Sequence, residues 1–339
     1  MNDVALVNST GDGEVDRLLR ATIGDFEAEL PGLFRGYYVI GSYASGTALP
    51  TSDLDLVCEG GVADSSRQER AKNLLDARRA TTKLDLSVFP LSGDALHGTY
   101  NPVFKLRSLF LYGHDIRDTV PLLPVEEWAR ECMHGIYEAI GRNDTSAVIR
   151  LPRECPDPRG EFYGYDRGTV RLSDGSEVNS TRGLVTGAGW MATSLIGLLA
   201  RRYVLGKGEF ATLYRQHVDD EWAPFLEDLY DTCRREWGYL VPERAEDRGK
   251  LRALCRQYMR FENYFLTVYK DFVLAELRGS DDAAILRVRR ALEHVPYRDT
   301  DIDDAVHMPR SHDDERVPRA AAAQCGKTGS AKRGNALTG

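Results

Sequence analysis

The chain has no CxxC pair and no Cys/His cluster at metal-ligand spacing. Its six cysteines, Cys58, Cys132, Cys155, Cys233, Cys255 and Cys325, lie scattered along 339 residues. That excludes a zinc motif and a disulfide scaffold, and it predicts reduced thiols in a cytoplasmic protein. A basic excess is missing too: 44 Lys and Arg stand against 52 Asp and Glu, a net charge of −8. No global basic field for nucleic acid exists, so a nucleic-acid partner is not expected. The first residues, MNDVALVNSTGDGEVD, lack the basic start and apolar core of a signal peptide. Residues 183–200 form an uncharged run of 18 residues, but the run holds four glycines and reads as a buried core helix, not a membrane span. A P-loop is absent: Gly326-Lys327-Thr328 has the ending, but Ala321 stands where the motif needs glycine, and no strand precedes it.

What is present fits a soluble globular protein, with 42 % apolar and 28 % charged residues. Residues 14–30 carry Val15, Leu18, Leu19, Ile23, Phe26 and Leu30 at helical spacing before Pro31. Residues 37–40 read as a buried strand ending in Gly41-Ser42. Residues 53–57 (Asp-Leu-Asp-Leu-Val) alternate as a half-buried strand, and residues 83–89 repeat the alternation up to Pro90. A polar helix over 65–80 separates the two, and residues 105–113 read as a short helix with a glycine cap. Helices are predicted over 125–140, 182–205, 210–217, 223–237, 243–277 and 281–294, with a β-hairpin near 165–180 around a Ser-Asp-Gly-Ser turn. The expected fold is α+β: a small mixed-sheet domain over 1–120, a mainly helical domain over 121–297, and a tail over 298–339 with no pattern that would bury it.

The chemistry concentrates near the two alternating strands. Asp53 and Asp55 share one strand face, and Asp85 sits on the matching face of the next strand. If the strands are neighbours, three carboxylates converge and raise one another's pKa unless cations neutralise them. Hard divalent cations suit such a site, Mg²⁺ first and Mn²⁺ as a substitute. Gly41-Ser42, at a strand end, allows close approach of backbone amides to phosphate. Together these parts fit two-metal phosphoryl or nucleotidyl transfer, a far more specific pattern than a lone Asp-x-Asp or Gly-Ser turn.

This constellation resembles the DNA polymerase β-like nucleotidyltransferase superfamily, whose motif is an apolar residue, Gly, Gly or Ser, a spacer, then Asp-x-Asp or Asp-x-Glu. The likeness covers residues 35–90. It implies that Gly41 and Ser42 hold the triphosphate of ATP or another NTP, that Asp53 and Asp55 bind both metals, and that Asp85 binds the catalytic metal or acts as base. Many members carry a basic residue where this chain has Ser45. The helical C-terminal half is more loosely similar to bacterial aminoglycoside nucleotidyltransferases. The resulting expectation is transfer of AMP from ATP to a hydroxyl of a small molecule. A protein or nucleotide acceptor, and a non-catalytic nucleotide sensor, are the alternatives.

Other features carry less. Lys105 and Arg107 follow the strands and offer charge for phosphate, although helix-surface residues look the same. Residues 162–166 (Phe-Tyr-Gly-Tyr-Asp) offer rings for stacking, and Tyr258, Phe261, Tyr264, Phe265 and Tyr269 form a helical stripe; packing explains both. His97, His114 and His134 show no ligand spacing.

Overall fold

Asp12 opens the first helix by accepting hydrogen bonds from the amides of Glu14 and Val15, and α1 (Gly13–Glu29) follows. This computed structural model describes residues 4–60, 64–91, 98–142, 148–172 and 174–307. Ser173 of the hairpin turn, His97 and residues 308–339 of the expected tail lie outside them.

The sheet is built from β1 (Phe34–Ile40), β2 (Asp53–Gly60), β3 (Asp85–Leu91) and β4 (Leu109–Gly113), in the order β3-β2-β1-β4. β1 runs antiparallel to β2 and β4, while β2 and β3 are parallel. A parallel pair needs a long crossover, which α2 (Ser65–Thr81) supplies. Alternation then divides the side chains. Tyr37, Val39, Leu54, Leu56, Leu86 and Leu111 pack beneath Leu19, Ile23 and Phe26 of α1. On the opposite face Tyr38, Ile40, Val57 and Phe110 pack on Phe104 of α3 (Asn101–Arg107).

Two boundaries differ from the sequence pattern. Residues 109–113 are a strand and not the end of a helix. Leu109 and Phe110 pair with Val39 and Tyr38, and tertiary pairing outweighs local propensity in a run that does not alternate. The third strand continues through Pro90, which is tolerated because β3 is an edge.

The rest is helical: α4 (Val125–Arg142), α5 (Arg182–Leu195), α6 (Glu209–His217), α7 (Ala223–Leu229), α8 (Ala245–Arg278), α9 (Asp282–His294) and α10 (Thr300–His307). The hairpin stands where expected, as β5 (Gly168–Arg171) and β6 (Glu177–Ser180). π-helical segments, Ile196–Ala200 and Tyr230–Glu236, extend α5 and α7. The helix Arg182–Ala200 is long and apolar enough to cross a membrane, but more than half of its most apolar window is buried within the protein. Phe261, Phe265 and Tyr269 of the aromatic stripe are fully buried, as is Phe162. The folded chain also runs past residue 297: Ile302 of α10 is buried, and Arg298 donates its amide to Ile149 O at 2.9 Å. The expectation of an unpacked chain from 298 onward therefore fails for 298–307. Ile302, with Ala305 and Val306 packed beside it, anchors a helix there despite the surrounding acids. Residues 1–306 form one compact unit.

Candidate active site

Strand register brings the three acids together. Asp53 lies opposite Asp85, and Asp55 lies opposite Ser87 on one side and Ile40 on the other. Leu54, Leu56 and Leu86 anchor the buried face, so the carboxylates must point the other way. Gly41 follows directly, with φ at +76°, and a Cβ there would stand 3.3 Å from Asp55 Oδ2. The left-handed backbone favours glycine at this position, and a side chain there would crowd the Asp55 carboxylate.

The turn after Gly41 is tight. Ser45 donates its amide to Gly41 O at 3.2 Å, and Thr47 donates to Ser42 O at 2.9 Å. Among the described residues, the amides of Ser42, Tyr43 and Ala44 find no acceptor. Such a run of N–H groups beside a glycine has the donors that an anion requires. Ser45, the departure from the family pattern, turns its hydroxyl inward to Gly41 O at 3.1 Å.

Two cations from the helical half face the acids. Arg182 Nη1 lies 3.0 Å from Asp85 Oδ2 and 4.0 Å from Asp53 Oδ2. Lys207 Nζ lies 4.0 Å from Asp53 Oδ1. Burial raises the Asp55 carboxyl to about 7, Asp53 and Asp85 add to the rise, and Lys207 and Arg182 only partly offset it. Burial also lowers the Lys207 ammonium, against the pull of Asp53 and Asp55. Arg182 and Lys207 are the cations within 4.0 Å of these carboxylates among the described residues.

Among the described residues, no three His, Cys, Asp or Glu side chains close on a common metal position. Arg182 stands between Asp53 and Asp85 as their counter-charge. The donor set nevertheless fits a hard divalent cation: carboxylate oxygens gather on one face, and a bound cation would favour the charged form of Asp55 that burial disfavours.

Arg182 and Lys207 escaped the sequence reading. Their signals were faint: Arg182 abuts the uncharged run, and Lys207 sits between two glycines. Lys105 and Arg107, offered as phosphate ligands, are engaged elsewhere. Lys105 Nζ donates to Arg117 O at 2.5 Å, and Arg107 pairs with Glu209 at 2.8 Å. The 162–166 aromatics pack as well: Tyr165 meets Tyr258 edge-on, and Tyr163 accepts a hydrogen bond from Arg256. His134 is buried with its Nδ1 2.9 Å from Tyr269 Oη.

The mixed sheet thus sets acids at the start of two parallel strands, near a glycine-led turn. The family comparison supplies a class. Residues 28–90 match the model of the nucleotidyltransferase domain, consistent with the polymerase β-like superfamily. No curated protein matches the chain significantly.

Proposed function

We propose that the protein transfers a nucleoside monophosphate, AMP from ATP, to a hydroxyl of a small molecule. One observation carries this reading: Asp53 and Asp85 stand in register beside Asp55, next to the positive-φ glycine, with Arg182 and Lys207 opposite. Asp53 and Asp55 would hold Mg²⁺ with the triphosphate, and Asp85 would complete the set on the acceptor side. When bound, the divalent cations neutralise the triphosphate and lower the pKa of the attacking hydroxyl. The free amides of Ser42–Ala44 take phosphate oxygens, and Lys207 and Arg182 face the charge that builds on the leaving pyrophosphate. Asp85, the more exposed of the in-register pair at 47 % against 29 % for Asp53, serves the acceptor as ligand or as base.

The acceptor side is formed by the helical half. A groove of about 210 Å³ between α4, α5 and α8 begins at Gly183, one residue beyond Arg182, and holds Thr186, the exposed Trp190, Tyr258 and Glu262. Its size suits one ring of a small molecule, and the chain's negative charge disfavours a polyanionic acceptor. The test incubates the purified chain with Mg²⁺, each of the four NTPs in labelled form and a panel of hydroxylated small molecules, nucleosides and cell extract. Mass spectrometry should find a nucleoside monophosphate adduct on a small molecule. Label found only on protein or in nucleotide polymers would overturn the acceptor, and no consumption of any NTP would overturn the activity.

A further inference from the structure

Arg234 is 3 % exposed, yet among the described residues no carboxylate lies within ion-pair distance of it. A buried cation without an anion is expensive, and apolar residues of similar size would usually serve stability better. Its contacts are unusual in where they lead. Nη1 donates to Tyr239 Oη, the guanidinium lies 5.3 Å from the Tyr239 ring and 5.8 Å from the Tyr230 ring, and Nη2 donates to Thr47 O at 2.7 Å. Thr47 in turn donates its amide to Ser42 O. The helical half therefore grips the turn that follows Gly41.

Other tethers grip the same loop nearer Asp53. Thr51 Oγ1 donates to Gly238 O at 2.8 Å, and Arg182 donates to Thr51 O. The segment that supplies these contacts is itself irregular. Arg234 belongs to the π-helical stretch Tyr230–Glu236, and Tyr239 just beyond has φ at +70°. An extra residue in a turn re-aims the side chains after it by about 100° relative to an α-helix. A buried non-glycine residue in the left-handed region carries strain that the surroundings must hold. Here Tyr239 N donates to Cys233 O and Thr181 N donates to Tyr239 O, both at 2.7 Å.

We infer that Arg234 is a positioning residue for nucleotidyl transfer. It fixes the 41–53 loop, through Thr47, in the shape that presents the free amides to the triphosphate; this rests on the function proposed above. Only the planar guanidinium forks to a carbonyl and a phenol while stacking on rings, so lysine should replace it poorly.

The test uses the full chain with Arg234→Lys, Tyr239→Phe and Thr51→Val. Melting temperature, Mg·ATP affinity by calorimetry, steady-state constants and amide hydrogen exchange are measured for each. Arg234→Lys should raise the nucleotide KM about tenfold or more with a smaller change in kcat, and should speed exchange in residues 42–52 while exchange in α8 stays unchanged. Thr51→Val should act in the same direction with a smaller shift, and Tyr239→Phe least. A residue that serves stability alone would instead lower melting temperature and raise exchange across the helical half. That outcome, or unchanged affinity and loop exchange in both Arg234→Lys and Thr51→Val, overturns the inference. Where Arg234→Lys does not fold, Thr51→Val decides alone. Failure of the wild-type chain to bind any NTP would count against the proposed function, whereas wild-type binding with insensitive variants would count against Arg234.

Discussion

The two sides of the site are written in the chain in different ways. The acidic side occupies residues 41–85, and its members sit on adjacent strands whose spacing follows a period of two. The cationic side draws Arg182, Lys207 and Arg234 from separate helices and loops, across more than fifty residues with no periodic relation. Chemistry carried by neighbouring strands leaves a local pattern. Chemistry supplied by a packing partner leaves none, because its geometry exists only after the helices dock.

The strongest challenge to this contrast is removal of the acids. Asp53→Asn and Asp55→Asn keep size but lose the charge that would hold a divalent cation, so transfer should fall by at least about 10⁴-fold and Mg²⁺-dependent NTP binding should vanish in calorimetry. Asp85→Asn should cost about 10²–10⁴-fold in turnover while nucleotide affinity changes much less, because the free amides and the Asp53–Asp55 pair remain. Metal-independent NTP binding in Asp53→Asn, or equal loss of binding in all three variants, would erase the division between triphosphate and acceptor sides.

A second challenge concerns where the helical side ends. Stopping the chain after His294 removes Val295, Tyr297 and Ile302, each at most 3 % exposed. At about 1.5–3 kcal/mol for each buried side chain, this stop should cost about 5 kcal/mol relative to a stop after His307. Denaturant unfolding of the two truncated chains measures the difference, and equal midpoints would show that α10 contributes nothing.

These elements also show what a sequence makes legible. Asp53, Asp55 and Asp85 were singled out because alternation fixes which way a strand side chain points, and Gly41-Ser42 because they end a strand; the register sets Asp53 beside Asp85 and Asp55 beside Ile40. The four-stranded sheet was legible apart from β4, since Leu109–Tyr112 is apolar throughout and carries no period to distinguish strand from helix. α10 was missed because Ile302, Ala305 and Val306 are too few among Asp301, Asp303 and Asp304 to look buryable; Lys270 bridges Asp299 and Asp301 beside them. Lys105 and Arg107 could not be assigned by sequence because surface cations near a motif look alike whether they face phosphate, a carbonyl or a carboxylate.

His134 tests the packing of the helical side by pH. Among the described residues its buried Nε2 has no partner, and burial lowers the imidazole to about 4, with Arg287 adding to the shift. A histidine depressed on folding binds its proton more readily in the unfolded chain. Stability should therefore be complete above about pH 6.5 and fall as pH drops toward 4, by about 3 kcal/mol in total. Urea unfolding between pH 7 and 4 should show this slope, and His134→Phe should flatten it. An equal slope in the variant would assign the acid loss to carboxylates alone.

The smallest expected effect is the sharpest for the comparison. Lys207 reaches the acids from the helical half and is 29 % exposed, and its ammonium stands 4.0 Å from Asp53. Lys207→Met keeps the stem and its packing while deleting the charge. If the cations serve mainly to receive triphosphate, nucleotide KM should rise about tenfold, the loss expected of one charge-assisted contact at a partly screened site. At saturating nucleotide, turnover should fall far less than in Asp85→Asn. Removing a cation also leaves Asp53 and Asp55 less compensated, so the variant should demand no more Mg²⁺ than wild type, and less if the metal takes up the slack. A Lys207→Met enzyme that binds nucleotide normally yet loses turnover as deeply as Asp85→Asn would move Lys207 from the binding side to the chemistry. The acids would then not hold the chemistry alone, and the contrast between a legible chemical strand pair and a cryptic binding side would collapse.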